Sequence, residues 1–135
     1  MKTKNIKQWT ILPCSPDDAY NAWLDSKKHG EMIEGGAKID PKVGGLFNIW
    51  DGSVTGKTLE LDPKKLRIVQ EWRYEYNNWP KDAPSKIIVE FVPYKNAQTK
   101  LRFWQSGIPK EYASDIEQGW KDYYWEPIKK YFTKR

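Results

Sequence analysis

Residues 111–132, EYASDIEQGWKDYYWEPIKKYF, constrain the fold more than any other stretch of this chain. Apolar side chains recur at Tyr112, Ile116, Trp120, Tyr123, Tyr124, Ile128, Tyr131 and Phe132, mostly in steps of three and four. That is the period of a helix and not of a strand. Asp115, Glu117, Lys121, Asp122, Lys129 and Lys130 fall on the other side. Six aromatic rings on one helical stripe need a broad apolar partner. Only a sheet built from the middle of the chain can supply one, so the helix is expected to lie across it. Ser114 and Glu117 have the spacing of a capping box, which would start the helix near Asp115, although a looser turn could begin after Pro109. Pro127 has no N–H for the Tyr123 carbonyl, which predicts a bend or a restart there. Gly119 costs about 1 kcal/mol relative to alanine inside a helix. Close packing against the sheet is the expected reason.

The rest of the chain reads as strands with a helical insertion. Residues 4–13 have extended character. Ser15-Pro16-Asp17-Asp18 is a helix start: an N-cap serine, proline at the first helical position and two carboxylates near the positive end of the dipole. The helix should bury Ala19, Tyr20 and Trp23. A second short helix or loop covers 26–36 and ends at Gly35-Gly36. Strands are expected at 46–50 and 53–61 around Asp51-Gly52, at 66–74, and as a hairpin of 86–94 with 98–106 across Lys95-Asn96. A polar loop with two prolines, 77–85, separates the last two groups. The order gives an α+β fold, with helices covering one face of an antiparallel sheet.

Alternation along the strands selects the buried face. Phe47 and Ile49, then Ile68, Gln70 and Trp72, then Ile87, Val89 and Phe91, then Leu101, Phe103 and Gln105 are consistently apolar or uncharged. They are expected on the concave side, with Trp50 and Trp104 outside. Between this face and the helix a cavity would be lined by Phe47, Gln70, Trp72, Phe103, Gln105, Ile116, Trp120 and Tyr123, with Glu60 as a further polar candidate. A few polar groups among aromatics can orient an amphipathic ligand. They can equally bond to one another.

Composition narrows the chemistry. Eight Trp, eight Tyr and four Phe among 135 residues allow a sizeable core in a single domain spanning 1–135. The formal charge of +5 comes from scattered lysines at expected turns and helix ends, which argues against a nucleic-acid face. One cysteine, Cys14, and one histidine, His29, cannot assemble a metal cluster, and His29 is expected in a solvated turn. Cys14 and His29 have no third orienting group for nucleophilic catalysis. The glycine pairs do not precede helices as phosphate loops do. No apolar run is long enough to cross a membrane and no signal-peptide pattern is present, so a cytoplasmic protein without cofactor or membrane insertion is expected.

A set of short motifs recurs in one known family. These are Ser15-Pro16 before the aromatic helix, Val43-Gly44-Gly45 with Phe47, Gly56, Asp62-Pro63, Ile68-Val69 with Trp72-Arg73, Thr99 with Leu101, and Gly119-Trp120. Tyr124-Trp125 with Pro127, Lys129, Tyr131 and Phe132 completes it. In their order and spacing over residues 5–133 they resemble the family named after the activator of the ninety-kilodalton heat-shock protein ATPase. That family belongs to the START-like helix-grip superfamily. The resemblance implies a curved antiparallel sheet of about six or seven strands wrapped around a long C-terminal helix, with two short helices after the first strand. The activators carry an additional N-terminal domain for which this chain has no room, so little or no ATPase stimulation by the chain alone is expected. No catalytic motif transfers. The leading expectation is a non-enzymatic binder of a small hydrophobic or aromatic molecule, with a stress-related role. The alternative is an interaction module regulating a chaperone ATPase, and a cyclase- or hydrolase-like enzyme is a weaker third. An exposed patch around Trp50 and Trp104 would favour the alternative.

Overall fold

A computed structural model describes residues 2–75, 79 and 84–134. The chain runs β1 (Thr3–Leu12), α1 (Pro16–Leu24), α2 (Ser26–Ile33), β2 (Ala37–Ile39), β3 (Leu46–Ile49), β4 (Val54–Asp62), β5 (Arg67–Tyr74), β6 (Ser85–Tyr94) and β7 (Gln98–Pro109). A 3-10 turn at Lys110–Tyr112, α3 (Ala113–Trp120), a π-helical turn at Lys121–Trp125 and α4 (Glu126–Thr133) then form one continuous helical segment. The strands make a seven-stranded antiparallel sheet in the order β1-β7-β6-β5-β4-β3-β2. This is the helix-grip architecture expected from the sequence. Of the loop expected over 77–85, only Trp79, Pro84 and Ser85 lie among the described residues.

The first helix starts as its sequence dictates. The Ser15 hydroxyl accepts from the Asp18 N–H at 3.2 Å, and Pro16 and two aspartates fill the first turn. Ser15→Ala should cost about 1 kcal/mol, the usual worth of an N-cap, read as a shift in the urea midpoint at constant slope. An unchanged midpoint would show that tertiary contacts alone hold α1 in place.

The four sets of alternating residues are buried together as expected. Phe47, Ile49, Ile68, Gln70, Trp72, Ile87, Val89, Phe91, Leu101, Phe103 and Gln105 all lie in the core beneath the helical segment. Register enforces this, because Phe47 pairs with Gly56, which in turn pairs with Trp72. The Phe47 ring lies over Gly56, where an added Cβ would sit 2.4 Å from the ring and 2.0 Å from the Glu71 carbonyl oxygen. Glu60 leaves the set. A bulge between Thr58 and Glu60 breaks the alternation, so Glu60 is exposed and pairs with Arg67 at 3.8 Å.

The C-terminal segment departs from the sequence expectation at its start and at Gly119, and meets it at Pro127, where α4 restarts with the proline in its first turn. The capping box does not form. Strand β7 runs past residue 106 to Pro109 and enters the helix through the 3-10 turn, which leaves Ser114 already inside α3 with no side-chain cap. Ahead of Pro127 the helix widens, with the Glu126 N–H reaching back to the Lys121 carbonyl. The α-helical partner of residue 127 would be the Tyr123 carbonyl, which proline cannot serve and with which its ring collides. A one-turn π bulge resolves that conflict. Its consequence is that Tyr124 and Trp125 both point into the core while Tyr123 turns out, 63% exposed. Finally, Gly119 is not pressed against the sheet. Among the described residues, and apart from the helix's own backbone, the nearest atom to an added Cβ is Tyr123 Cδ2, at 3.9 Å.

Candidate functional site

The polar residues of the concave face are joined to one another. Trp120 Nε1 donates to Gln105 Oε1 at 2.7 Å, Gln105 Nε2 to the Ser85 hydroxyl at 2.9 Å, and that hydroxyl to the Trp72 carbonyl at 2.6 Å. A second chain runs from Trp23 Nε1 to Gln70 Oε1 at 3.1 Å and from Gln70 Nε2 to the Thr58 hydroxyl at 3.1 Å. Gln70 and Gln105 therefore tie the helices to the sheet, and burial keeps both networks dry. Phe103 is filled over by the Trp120 ring at 4.3 Å, and Phe47 by Trp72 at 5.5 Å.

His29 is not in a solvated turn. The Asp25 side chain caps α2 by accepting from the Lys28 N–H at 2.8 Å, which aims His29 into the core, 1% exposed. Its Nδ1 lies 2.7 Å from the Trp23 carbonyl and its Nε2 2.9 Å from the Tyr124 hydroxyl. The carbonyl can only accept, so Nδ1 carries the proton and the Tyr124 hydroxyl donates to Nε2. Burial lowers the imidazole pKa to about 4, against a smaller upward pull from the Trp23 carbonyl. Burial also raises the Tyr124 phenol well above its ordinary value, with Tyr74 adding to the shift. Both ring nitrogens are engaged, so His29 is not an activating base for Cys14.

Beneath α3, beside Trp50 and the end of β5, lies a cavity of ≈ 130 Å³. Of the expected lining, Trp72, Ile116, Trp120 and Tyr123 border it; Phe47, Gln70, Phe103 and Gln105 do not. Tyr123 stands at its rim and not in its depth. Trp50 was expected outside but helps close it. It adopts φ +50°, strained for so large a residue, and its ring packs against Tyr124 at 5.7 Å and over Gly35, where a Cβ would meet it at 2.4 Å. Trp79 and Tyr112, stacked at 5.8 Å, complete one wall. Trp72, one of the residues bordering this space, has a buried Nε1 with no hydrogen-bond partner among the described residues. An orphaned buried donor costs about 1–3 kcal/mol. No cluster of metal-binding side chains occurs among the described residues, and no helix there is long and apolar enough to cross a membrane.

The family model described as Activator of Hsp90 ATPase homolog 1-like protein matches residues 13–133. The chain belongs to that family. Within it, the chain is 30% identical over 131 residues to a Dictyostelium discoideum protein named as an activator of 90 kDa heat shock protein ATPase homolog. It is 32% identical over 118 residues to the human homolog 1. These matches cover 97% and 87% of this chain, but it spans only about a third of each relative, 33% and 34%. A crystal structure of an HSP90 activator from Plasmodium falciparum superposes with a TM-score of 0.82 at 25% identity, covering 92% of both chains. Such family members are named as activators and not for a catalysed reaction.

Proposed function

We propose that this chain is a protein-interaction module that regulates the ATPase of a ninety-kilodalton heat-shock chaperone. The observation that carries the reading is the Plasmodium falciparum activator, which matches this chain over 92% of its own length. That solved chain has about the same extent as this one, which supports stimulation by this chain alone. Longer relatives named as activators add support. The bonded networks of Gln70 and Gln105 also weaken the leading small-ligand expectation, because the polar groups meant to orient a ligand are already engaged.

The contact surface we assign is the outer face of the sheet near β1 and β7. The expected patch around Trp50 and Trp104 does not form, since Trp50 packs inward. Trp9 takes that place, 63% exposed. Strand register sets Trp9 opposite Arg102 and Lys7 opposite Trp104. The Lys100 ammonium lies 4.9 Å over the Trp9 ring, and the Arg102 guanidinium 5.0 Å over the Trp104 ring. Aromatic anchors with arginine are the usual centres of binding energy, and the cations suit an acidic partner surface. Adding the chain to the purified chaperone should raise ATP hydrolysis severalfold and saturably. Trp9→Ala should raise the half-maximal concentration about tenfold, near 1.4 kcal/mol, without lowering the melting temperature. A rate that stays flat across the titration sinks the proposal; an unchanged Trp9→Ala titration sinks the assigned surface.

A further inference from the structure

We propose that the outer face of the sheet, at its β2–β5 end, binds the phosphate group of a small phosphomonoester through Lys38, Lys57 and Arg73. Strand register builds the site. Lys38 pairs with Asn48, Asn48 with Thr55 and Thr55 with Arg73, so these side chains form one row across β2, β3, β4 and β5. Leu46, Lys57 and Glu71 form the adjacent row. Phe47 and Trp72, one position along their strands, are buried in the core, which puts both rows on the outside. The two rows line an open basin of ≈ 720 Å³, within the range of about 300–1,000 Å³ usual for small-molecule sites.

The cations of this basin lack the counter-charges found elsewhere on the same face. Arg67 lies 3.4 Å and Arg102 3.7 Å from Glu90. Lys38, Lys57 and Arg73 have no ion pair among the described residues. Lys57 and Arg73 are half-buried, and Arg73 Nε is buried with no hydrogen-bond partner among the described residues. Withdrawing cations from water without an anion costs free energy, which a bound oxyanion would offset. The nearby carboxylates do not fill that role. Asp40 is held by Lys42 at 3.8 Å, and Glu75, outside the lining, accepts from the Thr55 hydroxyl at 2.6 Å. That leaves Glu71, opposite Lys57, against three positive charges. The cations come from three different strands. This suits a tetrahedral anion with oxygens on several sides better than a planar carboxylate, which a single arginine fork can engage. Ile39 and Leu46, the latter 70% exposed, give an apolar border for the rest of the molecule. The basin lies at the opposite end of the sheet from Trp9 and β1, so it stands or falls separately from the chaperone reading.

Phenyl phosphate and benzoate carry the same ring on a tetrahedral and a planar anion. Titrated into protein with 15N-labelled arginine, phenyl phosphate should saturate and move the Arg73 Nε–H resonance, leaving those of Arg67 and Arg102 in place. Benzoate should bind about tenfold more weakly. Arg73→Lys identifies the resonance and keeps the charge but not the planar fork. Arg73→Lys and Lys57→Ala should each weaken phenyl phosphate about tenfold without lowering the melting temperature. Lys7→Ala, at the far end of the same face, should leave binding unchanged. If Arg73→Lys melts lower, Lys57→Ala alone decides. Binding that never saturates, equal affinities for the two probes, equal movement of all three arginine resonances, or undiminished binding to Lys57→Ala would each overturn the site.

Discussion

Trp120→Ala is expected to remove about 3–5 kcal/mol of folding stability, toward the upper end of that range. The indole packs on Phe103 at 4.3 Å, Tyr124 at 4.7 Å, Trp72 at 5.1 Å and Trp125 at 5.3 Å, so truncation opens a hole at the meeting point of helix and sheet. It also strips Gln105 Oε1 of its donor and leaves a buried acceptor unpaired. Against a total of about 5–15 kcal/mol for a domain of this size, the protein should remain folded with a much lower urea midpoint. Trp120→Phe keeps most of the ring contact but not the N–H and should fall between. Lys121→Ala, one residue away and exposed, should change stability by less than about 0.5 kcal/mol. Similar urea midpoints for Trp120→Ala and Lys121→Ala would mean that the inward face of the helix has been misassigned.

Acid should destabilise the fold through the single histidine. In the native state His29 is held neutral, with its pKa lowered to about 4; in the unfolded chain it should titrate near its ordinary ~6.5. Above pH 6.5 both states are neutral and this group adds no pH dependence. Between 6.5 and 4 the unfolded state binds the proton first, so stability falls as pH falls. At ~1.4 kcal/mol per unit the full loss is on the order of 3 kcal/mol, with about 2 kcal/mol already gone at pH 5. His29→Gln lacks the titrating group and should lose this slope between pH 7 and 5, whatever its starting stability. If wild type and His29→Gln give parallel stability curves over that range, His29 takes up its proton as readily in the native state as in the unfolded chain, and burial does not hold it neutral.

The strands and first helix were legible because each carries its own local signal. Ser15-Pro16 marks a helix start and Asp51-Gly52 a hairpin, while period-two alternation selects the buried face. The misses involve side chains whose direction is decided by tertiary packing. His29 lies with Met32 and Ile33 at i, i+3 and i+4, all buried, and that spacing was available in the sequence. A lone polar residue between Lys28 and Gly30 nevertheless looks solvated until Tyr124 is known to face it. Trp50 reads as outward from strand parity, but its positive φ takes it off the strand's alternation and onto the helix. The cavity itself had half of its expected lining, because two of the four walls that failed, Gln70 and Gln105, are glutamines consumed by tryptophan N–H donors.

The π turn ahead of Pro127 explains the remaining miss, and its effect reaches beyond this chain. At ~100° per residue, an unbroken α-helix would aim Trp125 roughly 140° away from Trp120. Yet both are buried, with rings stacked at 5.3 Å. Leave one residue out of the count between them and Tyr124, Trp125, Ile128 and Phe132 all fall within roughly 60° of Trp120. The residue that drops out is the exposed Tyr123. A relative whose helix lacks the bulge would therefore match this one only with a gap of one position, opened inside a helix and far from any loop. An alignment that forbids gaps within helices would pair Trp125 with a solvent-facing residue and miscount the core of every such relative.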